Sequence, residues 1–281
     1  MDPDKGDEGL EWRIGVWDQI SDLYLREIDR RFVPVVDGVI ARAELKPGET
    51  VLDLGTGTGA VALQAARLAG PDSAVMGLDI SRDMLRLAER RAAMASLNNI
   101  QFREGRAETL PAEDSSFNVV VASLSLMYAI DRAAAANEIV RVLEPGGRLV
   151  AAVWAAPEKC DIVRFQQTAG SFAPKPPVAH VGPGAMADPT LFVKQLAEAG
   201  LTAKVEAQEL GFVFDTFEFA WEVLAGVTTA KLEPSRKEEA KEAVRQLMWQ
   251  KPNEPRQFRN VTQFIVGSVQ PSLPPNALTD F

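Results

Sequence analysis

Cysteine and histidine are nearly absent. Cys160 is the single cysteine and His180 the single histidine among 281 residues. One cysteine cannot close an intrachain disulfide, which fits a reducing compartment. A zinc or iron–sulfur site built from Cys and His is excluded. A Ser-His-Asp or Cys-His apparatus would have to recruit His180, which lies in a Pro/Gly-rich stretch ill suited to fixing catalytic geometry. Basic residues are also short, 30 Lys and Arg against 39 Asp and Glu, for a net charge of −9. A nucleic-acid binder needs a basic face, so no nucleic-acid partner is expected. No run is long and apolar enough to span a membrane. The stretch Met1–Glu8 is acidic and lacks the apolar core of a secretory signal, so the expected location is cytoplasmic. No internal repeat is visible.

The content of the chain is that of a soluble globular protein, 46% apolar and 25% charged, with room for one large domain or a domain plus a subdomain. Residues 1–9 are polar and expected to be unstructured. Helical spacing then links Trp17, Ile20, Leu23, Tyr24 and Ile28 with Val35, Val36, Val39 and Ile40, and Pro34 is expected to divide or kink this stretch. After the turn at Lys46–Glu49, strands and helices alternate. Strands are expected at 51–54, 74–78, 100–103, 118–123 and 148–154. Helices are expected at 60–68, at 81–96 behind a Ser81 cap, and from Asp131 to Pro145-Gly146-Gly147. Repeated β-α units predict a parallel sheet with helices on both faces. Residues 156–187 show little periodicity. A helix capped by Asp188, with Pro189 at its first position, should end at Gly200. Strand 205–214, helix 217–250 with a solvated charged run at Arg236–Glu242, and strand 262–269 complete the pattern, and the proline-bearing tail 270–281 is expected to be irregular.

The richest stretch is Val51-Leu52-Asp53-Leu54-Gly55-Thr56-Gly57-Thr58-Gly59. A buried strand here enters a glycine-rich turn and then a helix, so a ligand can approach bare backbone. Gly55-x-Gly57-x-x-Ala60 also satisfies the permissive dinucleotide pattern, and such a turn can exist without any ligand. Asp53 discriminates: a carboxylate there repels a pyrophosphate and suits a ligand carrying an ammonium and a sulfonium, which points to S-adenosylmethionine. The same Asp53 could instead simply cap the following helix. Asp79, at the end of the second strand and 20 residues after Gly59, has the place of a carboxylate that accepts hydrogen bonds from both ribose hydroxyls. It could alternatively cap the next helix, though Ser81 already serves there. The loop Gly105–Pro111 follows the third strand, at the edge where an adenine would rest, unless it is an ordinary surface loop.

Together these pieces resemble the class I S-adenosylmethionine-dependent methyltransferases, in the branch that includes ubiquinone/menaquinone-biosynthesis and many natural-product enzymes. The matching pieces are Val51–Gly59, Gly77–Ser81, Gly105–Pro111, Asp114–Leu126 and Arg141–Gly147, in that order. The resemblance covers residues 45–155 well and 188–214 and 262–269 more loosely. It implies a Rossmann-like, seven-stranded, mostly parallel α/β sheet. It also implies a helical cap over 1–45, a cofactor-binding core over 46–155, and a remainder, 156–281, with substrate-covering insertions. Asp53 and the backbone of Gly55 and Gly57 would face the methionine part and ribose, and Asp79 would hold the ribose hydroxyls. Ile80 would flank the adenine, Arg106-Ala107 would approach its edge, and Ser123 would lie near the methionine carboxylate or ammonium. Thr56, Gly59, Met84, Glu108 and Tyr24 complete the expected cofactor-binding set. Tyr24 would close the site through its hydroxyl, or else be a core residue. Two places depart from the family pattern. Arg106 stands where an adenine-binding Asp is common and cannot accept a hydrogen bond. Met127 and Tyr128 stand where many relatives carry His.

The implied reaction is in-line methyl transfer to a small acceptor, lipophilic or aromatic, on oxygen or carbon. The leaving thioether is neutral and needs no acid, and alignment alone can supply several kcal/mol, on the order of 7–11 in the best oriented systems. Tyr24, Tyr128 and His180 are the candidates for acceptor positioning or proton removal. Phe165, Phe172, Phe212, Phe214, Phe217, Phe219, Trp221 and Phe258 are the candidates for an apolar acceptor pocket. Two other readings stand beside this one. One is a non-catalytic binding protein of methyltransferase-like fold. The other is an NAD-dependent oxidoreductase, which fits the glycines but lacks both a partner for Asp53 and a Tyr-x-x-x-Lys pair.

Overall fold

A computed structural model describes residues 3–175, 177–225, 228–229 and 232–271. The first helix, α1 (Pro3–Leu23), widens into a π-helical turn (Tyr24–Ile28) and continues as α2 (Asp29–Ala43). Two expectations are corrected here. Helix begins at Pro3, within the stretch expected to be unstructured. Pro34 stays inside α2, and the irregularity lies upstream, where the Asp29 amide reaches back to the Tyr24 carbonyl. An i→i−5 bond of this kind inserts one extra residue and re-aims the side chains beyond it.

Seven strands form one sheet in the order β3 (Ile100–Glu104), β2 (Ala74–Asp79), β1 (Thr50–Leu54), β4 (Phe117–Ser123), β5 (Leu143–Trp154), β7 (Arg256–Val269) and β6 (Leu201–Phe214). The first five are parallel and β7 runs antiparallel to both neighbours, so the expected Rossmann-like, mostly parallel α/β fold is present. Strand β4 shows why its sequence is uniformly apolar. Val119, Val120, Val121 and Ala122 are fully buried, as a central parallel strand covered on both faces requires. Helices α3 (Ala60–Ala69), α4 (Arg82–Met94) and α5 (Arg132–Val142) are the crossovers. Ser81 caps α4 by accepting from the Met84 amide, and Asp131 caps α5 by accepting from that of Ala134.

Beyond residue 155 the sequence reading needs more correction. The segment 156–187 contains α6 (Asp161–Gly170), which buries Ile162, Val163, Phe165 and Ala169. Its N-terminal amide at Ile162 donates to Asn260 of β7, 2.9 Å away, so the cap comes from a distant strand rather than a local Ser or Asp. Helix α7 (Thr190–Ala199) starts one residue later than expected. Pro189 occupies the cap position, and Asp188 accepts from the Thr190 amide at 3.0 Å. The single helix expected over 217–250 is two, α8 (Phe217–Ala225) and α9 (Pro234–Met248), with Pro234 opening the second. Strands β6 and β7 are longer than expected and pair residue for residue along their length. Residues 272–281 of the tail lie outside the described residues.

Candidate functional site

The strand order reverses between β1 and β4, the place where open α/β sheets bind ligands beyond the strands' carboxyl ends. An open cavity lies there. The glycine turn contributes Gly55 and Gly57, the end of β2 contributes Leu78, Asp79 and Ile80, and α4 contributes Met84. The loop after β3 adds Gly105, Arg106, Ala107 and Glu108, and the end of β4 adds Ser123, Leu124 and Ser125. Trp17, Tyr24 and Tyr128 complete the wall together with Leu54, Leu126 and Ala129.

Backbone geometry explains the glycines. Gly57 has φ +54°, and a Cβ there would meet no protein atom within 4 Å, so the bare backbone faces open cavity. Gly55 has φ +67°, and a Cβ would come within 2.3 Å of the Ser125 Cβ. The first glycine admits a ligand, and the second lets the turn pack on the β4 end. Leu124 adopts φ +57° without glycine's freedom, a strained backbone in the cavity wall.

Asp79 ties the turn to β2. Its Oδ2 accepts from the Gly57 amide at 2.8 Å and its Oδ1 from the Ser81 amide at 3.0 Å. Burial pushes its pKa up, and the amides of Ser81, Gly57 and Ile80 pull it back. An ionised carboxylate has roughly four acceptor sites, so Asp79 keeps acceptor capacity toward the cavity.

Asp53 corrects the expectation that it faces a ligand. It is fully buried behind the turn, outside the cavity wall, and its Oδ2 accepts from the Thr56 hydroxyl at 2.7 Å and the Ala62 amide at 3.0 Å. It therefore does cap α3. Its Oδ1 is buried with no partner, and desolvation pushes its pKa to about 7. Thr56 and Gly59 likewise stand outside the wall.

The remaining candidates separate. Tyr24 and Tyr128 face the cavity, and burial raises both phenols above the usual range, so each is a neutral hydrogen-bond donor across ordinary pH. Trp17 packs edge-on against both, with centroids 6.1 Å from Tyr24 and 5.0 Å from Tyr128. Trp17 was not expected as a site residue, although its place seven before Tyr24 puts it on the same helix face. His180 is exposed, outside the wall, and its carbonyl accepts from Arg132. None of the phenylalanines expected to line an acceptor pocket lines this cavity, nor does Trp221, which instead edges a separate cleft with Pro234 and Lys237. Phe165, Phe214, Phe217 and Phe258 are fully buried against one another and against Trp221. Among the described cavity residues there is no His, Lys or Cys.

With this geometry in view, the relatives can be placed. Residues 45–172 match a protein family described as a methyltransferase domain. A protein of Halobacterium salinarum named arsenite methyltransferase is 39% identical over 109 residues, 39% of this chain and 28% of its own length. A ubiquinone/menaquinone biosynthesis C-methyltransferase of Pasteurella multocida is 33% identical over 147 residues, 51% of this chain and 53% of its own. The chain thus spans about half or less of these relatives' lengths. Among solved structures, the YcgJ protein of Bacillus subtilis superposes with a TM-score of 0.62 at 20% identity, covering 84% of this chain and 98% of that one, a likeness of fold. The protein has a class I methyltransferase fold. The match to the methyltransferase-domain family spans residues 45–172, less than half of the chain.

The cofactor of such domains is S-adenosylmethionine, and the residues fit it. Open space stands over Gly57, Asp79 has acceptor capacity for a ribose, and the Gly105–Glu108 segment edges the cavity where an adenine would lie.

Proposed function

We propose that this protein transfers a methyl group from S-adenosylmethionine to a small lipophilic or aromatic acceptor, on oxygen or carbon. The observation that carries the reading is the single cavity wall shared by Gly57, Asp79 and the Arg106–Glu108 segment with the aromatic set Trp17, Tyr24 and Tyr128. One end is polar and backbone-rich, and the other is aromatic. Bound there, S-adenosylmethionine supplies a methyl on a positively charged sulfur. Asp79 holds the ribose hydroxyls, and the backbone at Gly55 and Gly57 admits the chain next to it. Ile80 and Met84 pack on the adenine, and the Ala107 amide reads its edge in place of the side chain that Arg106 cannot supply. Ser123 lies toward the methionine end.

Trp17, Tyr24 and Tyr128 then frame the acceptor. Their ring faces favour a flat or apolar molecule. Their hydroxyls donate to an acceptor oxygen and do not take its proton, because both phenols are held neutral. The acceptor therefore brings an acidic phenol, enol or carbon acid of its own, and alignment supplies the rate. The Pasteurella multocida relative, named a ubiquinone/menaquinone biosynthesis C-methyltransferase, supports carbon as a target, and on this reading the acceptor is a small molecule rather than a nucleic acid.

Calorimetric titration with S-adenosylmethionine, S-adenosylhomocysteine and NAD tests the cofactor half. Micromolar binding of the two adenosyl ligands, weakened in Asp79→Ala, is expected. Binding of NAD alone would overturn the reading. Binding without turnover on any phenol or quinol would leave a binding protein of this fold.

A further inference from the structure

The aromatic end of the cavity rests on the N-terminal helical segment. Trp17 is on α1 and Tyr24 is in the π turn that follows. Helix α2 plants Val35, Val36, Val39, Ile40 and Ala43 in the hydrophobic core, whereas among the described side chains of α1 Leu23 packs against that core only partly buried. Polar ties therefore add to what holds α1 in place.

Two ties are present, and both are carboxylate-to-hydroxyl contacts. On α1, Asp18 accepts from the Ser81 hydroxyl at 2.5 Å. Ser81 is fully buried, and its oxygen also accepts from the Met84 amide, so the hydroxyl is fixed from both sides. At the start of α2, Asp29 Oδ2 accepts from the Thr58 hydroxyl at 2.6 Å and from Arg91 at 2.7 Å. Arg91 also donates to the Thr58 carbonyl at 2.7 Å, while the Asp29 amide closes the π turn on the Tyr24 carbonyl.

Both ties end on the elements proposed to hold the cofactor. Thr58 follows Gly57 in the glycine turn. Ser81 donates its amide to Asp79, and Asp79 in turn accepts from Gly57. Whatever stiffens Gly57 and Asp79 stiffens Thr58 and Ser81, and through them the segment bearing Trp17 and Tyr24. We propose that Asp18 and Asp29 are positioning residues that couple occupation of the cofactor end to ordering of the acceptor wall. The wall is complete only when the adenosyl ligand is in place. This inference rests on the cofactor reading above.

The test compares hydrogen exchange over residues 14–28 with and without S-adenosylhomocysteine, and measures binding of the same ligand by calorimetry in the same samples. The wild-type protein should bind and slow exchange in this segment by about 10-fold or more. Asp18→Ala and Asp29→Ala should bind within about 3-fold of wild type yet keep less than about a third of that protection. Asp18→Asn, whose amide oxygen still accepts from Ser81, should restore it. A purely structural role would raise exchange equally with and without ligand and leave the ligand-dependent slowing intact, which would overturn the proposal. So would wild-type binding with no slowing in this segment. If Asp29→Ala does not fold, Thr58→Val removes the same hydrogen bond and keeps the Asp29–Arg91 pair, with the same expectation. Absence of ligand binding in the wild type sinks the cofactor reading itself and is seen separately in the calorimetry.

Discussion

The two ends of the sheet solve different problems with different residues. At the junction of β1, β2 and β4, parallel strands stop together and leave glycines and the Asp79 carboxylate around a cavity, with Asp53 buried behind the turn. At the β7–β6 ribbon, Phe212, Phe214 and Phe258 meet Phe165 of α6, Phe217 of α8 and Trp249 in a closed aromatic core. The first region is open, with backbone and polar groups beside aromatic rings, and the second is closed and apolar. Aromatic content by itself therefore does not mark the cavity.

This contrast can be broken by substitution. Phe258→Ala should produce the largest loss of stability, about 3–5 kcal/mol by cavity formation in the packed core. Adenosyl-ligand affinity in the folded fraction should stay unchanged. Chemical unfolding together with calorimetry checks both, and a parallel loss of affinity would join the two regions energetically.

Asp53 sharpens the contrast from the other side. Its pKa of about 7 lies above the ordinary carboxylate value of 3.8. Between those pH values the folded chain holds a proton that the unfolded chain has released, so stability falls as pH rises through this window. The full cost, on the order of 4 kcal/mol, applies above it. Asp53→Asn keeps an acceptor for Thr56 and Ala62, so its melting temperature should decline less between pH 4 and 7 than that of the wild type, as scanning calorimetry would show. An unchanged slope would place the proton elsewhere.

Asp79→Ala should do the reverse of Phe258→Ala. Adenosyl-ligand binding should weaken by about 2–3 kcal/mol, the value of a charge-assisted hydrogen bond, with a smaller change in stability. The smallest effect is expected from Tyr24→Phe and Tyr128→Phe. Each removes a donor and leaves the ring, so a loss of about 1 kcal/mol or less in transition-state stabilisation is expected once an acceptor is in hand. The pH–rate profile should continue to follow the acceptor's own pKa. A profile that changes shape in either variant would make that phenol a proton acceptor.

Legibility along the chain followed the range of the interactions. Helix caps at Ser81 and Asp131 involve residues three apart and were readable. The cap of α6 comes from Asn260, so the helix was hidden inside a Pro/Gly-rich stretch. The π turn at Tyr24–Ile28 has no local signature, whereas Pro34, which has one, is tolerated because α2 is held by core packing on both sides of it. The pair Asp53 and Asp79 was legible as two functional carboxylates, but not which of them faces the cavity. Asp53 lies opposite Gly77 and Val121 of the neighbouring strands, and its carboxylate turns to the amide of its own following helix.

The order of apolar strands, the glycine turn and the carboxylate after β2 are enough to determine a Rossmann-like fold with its ligand turn after β1, because each is a local pattern spaced by one β-α unit. Tertiary structure alone decided three further things: that the phenylalanine-rich half is core, that Trp17 and Tyr24 reach the cavity, and that Asp18 and Asp29 tie them to its glycine turn and β2 end. Those contacts join residues tens of positions apart, and a side chain's burial depends on what the rest of the chain packs against it.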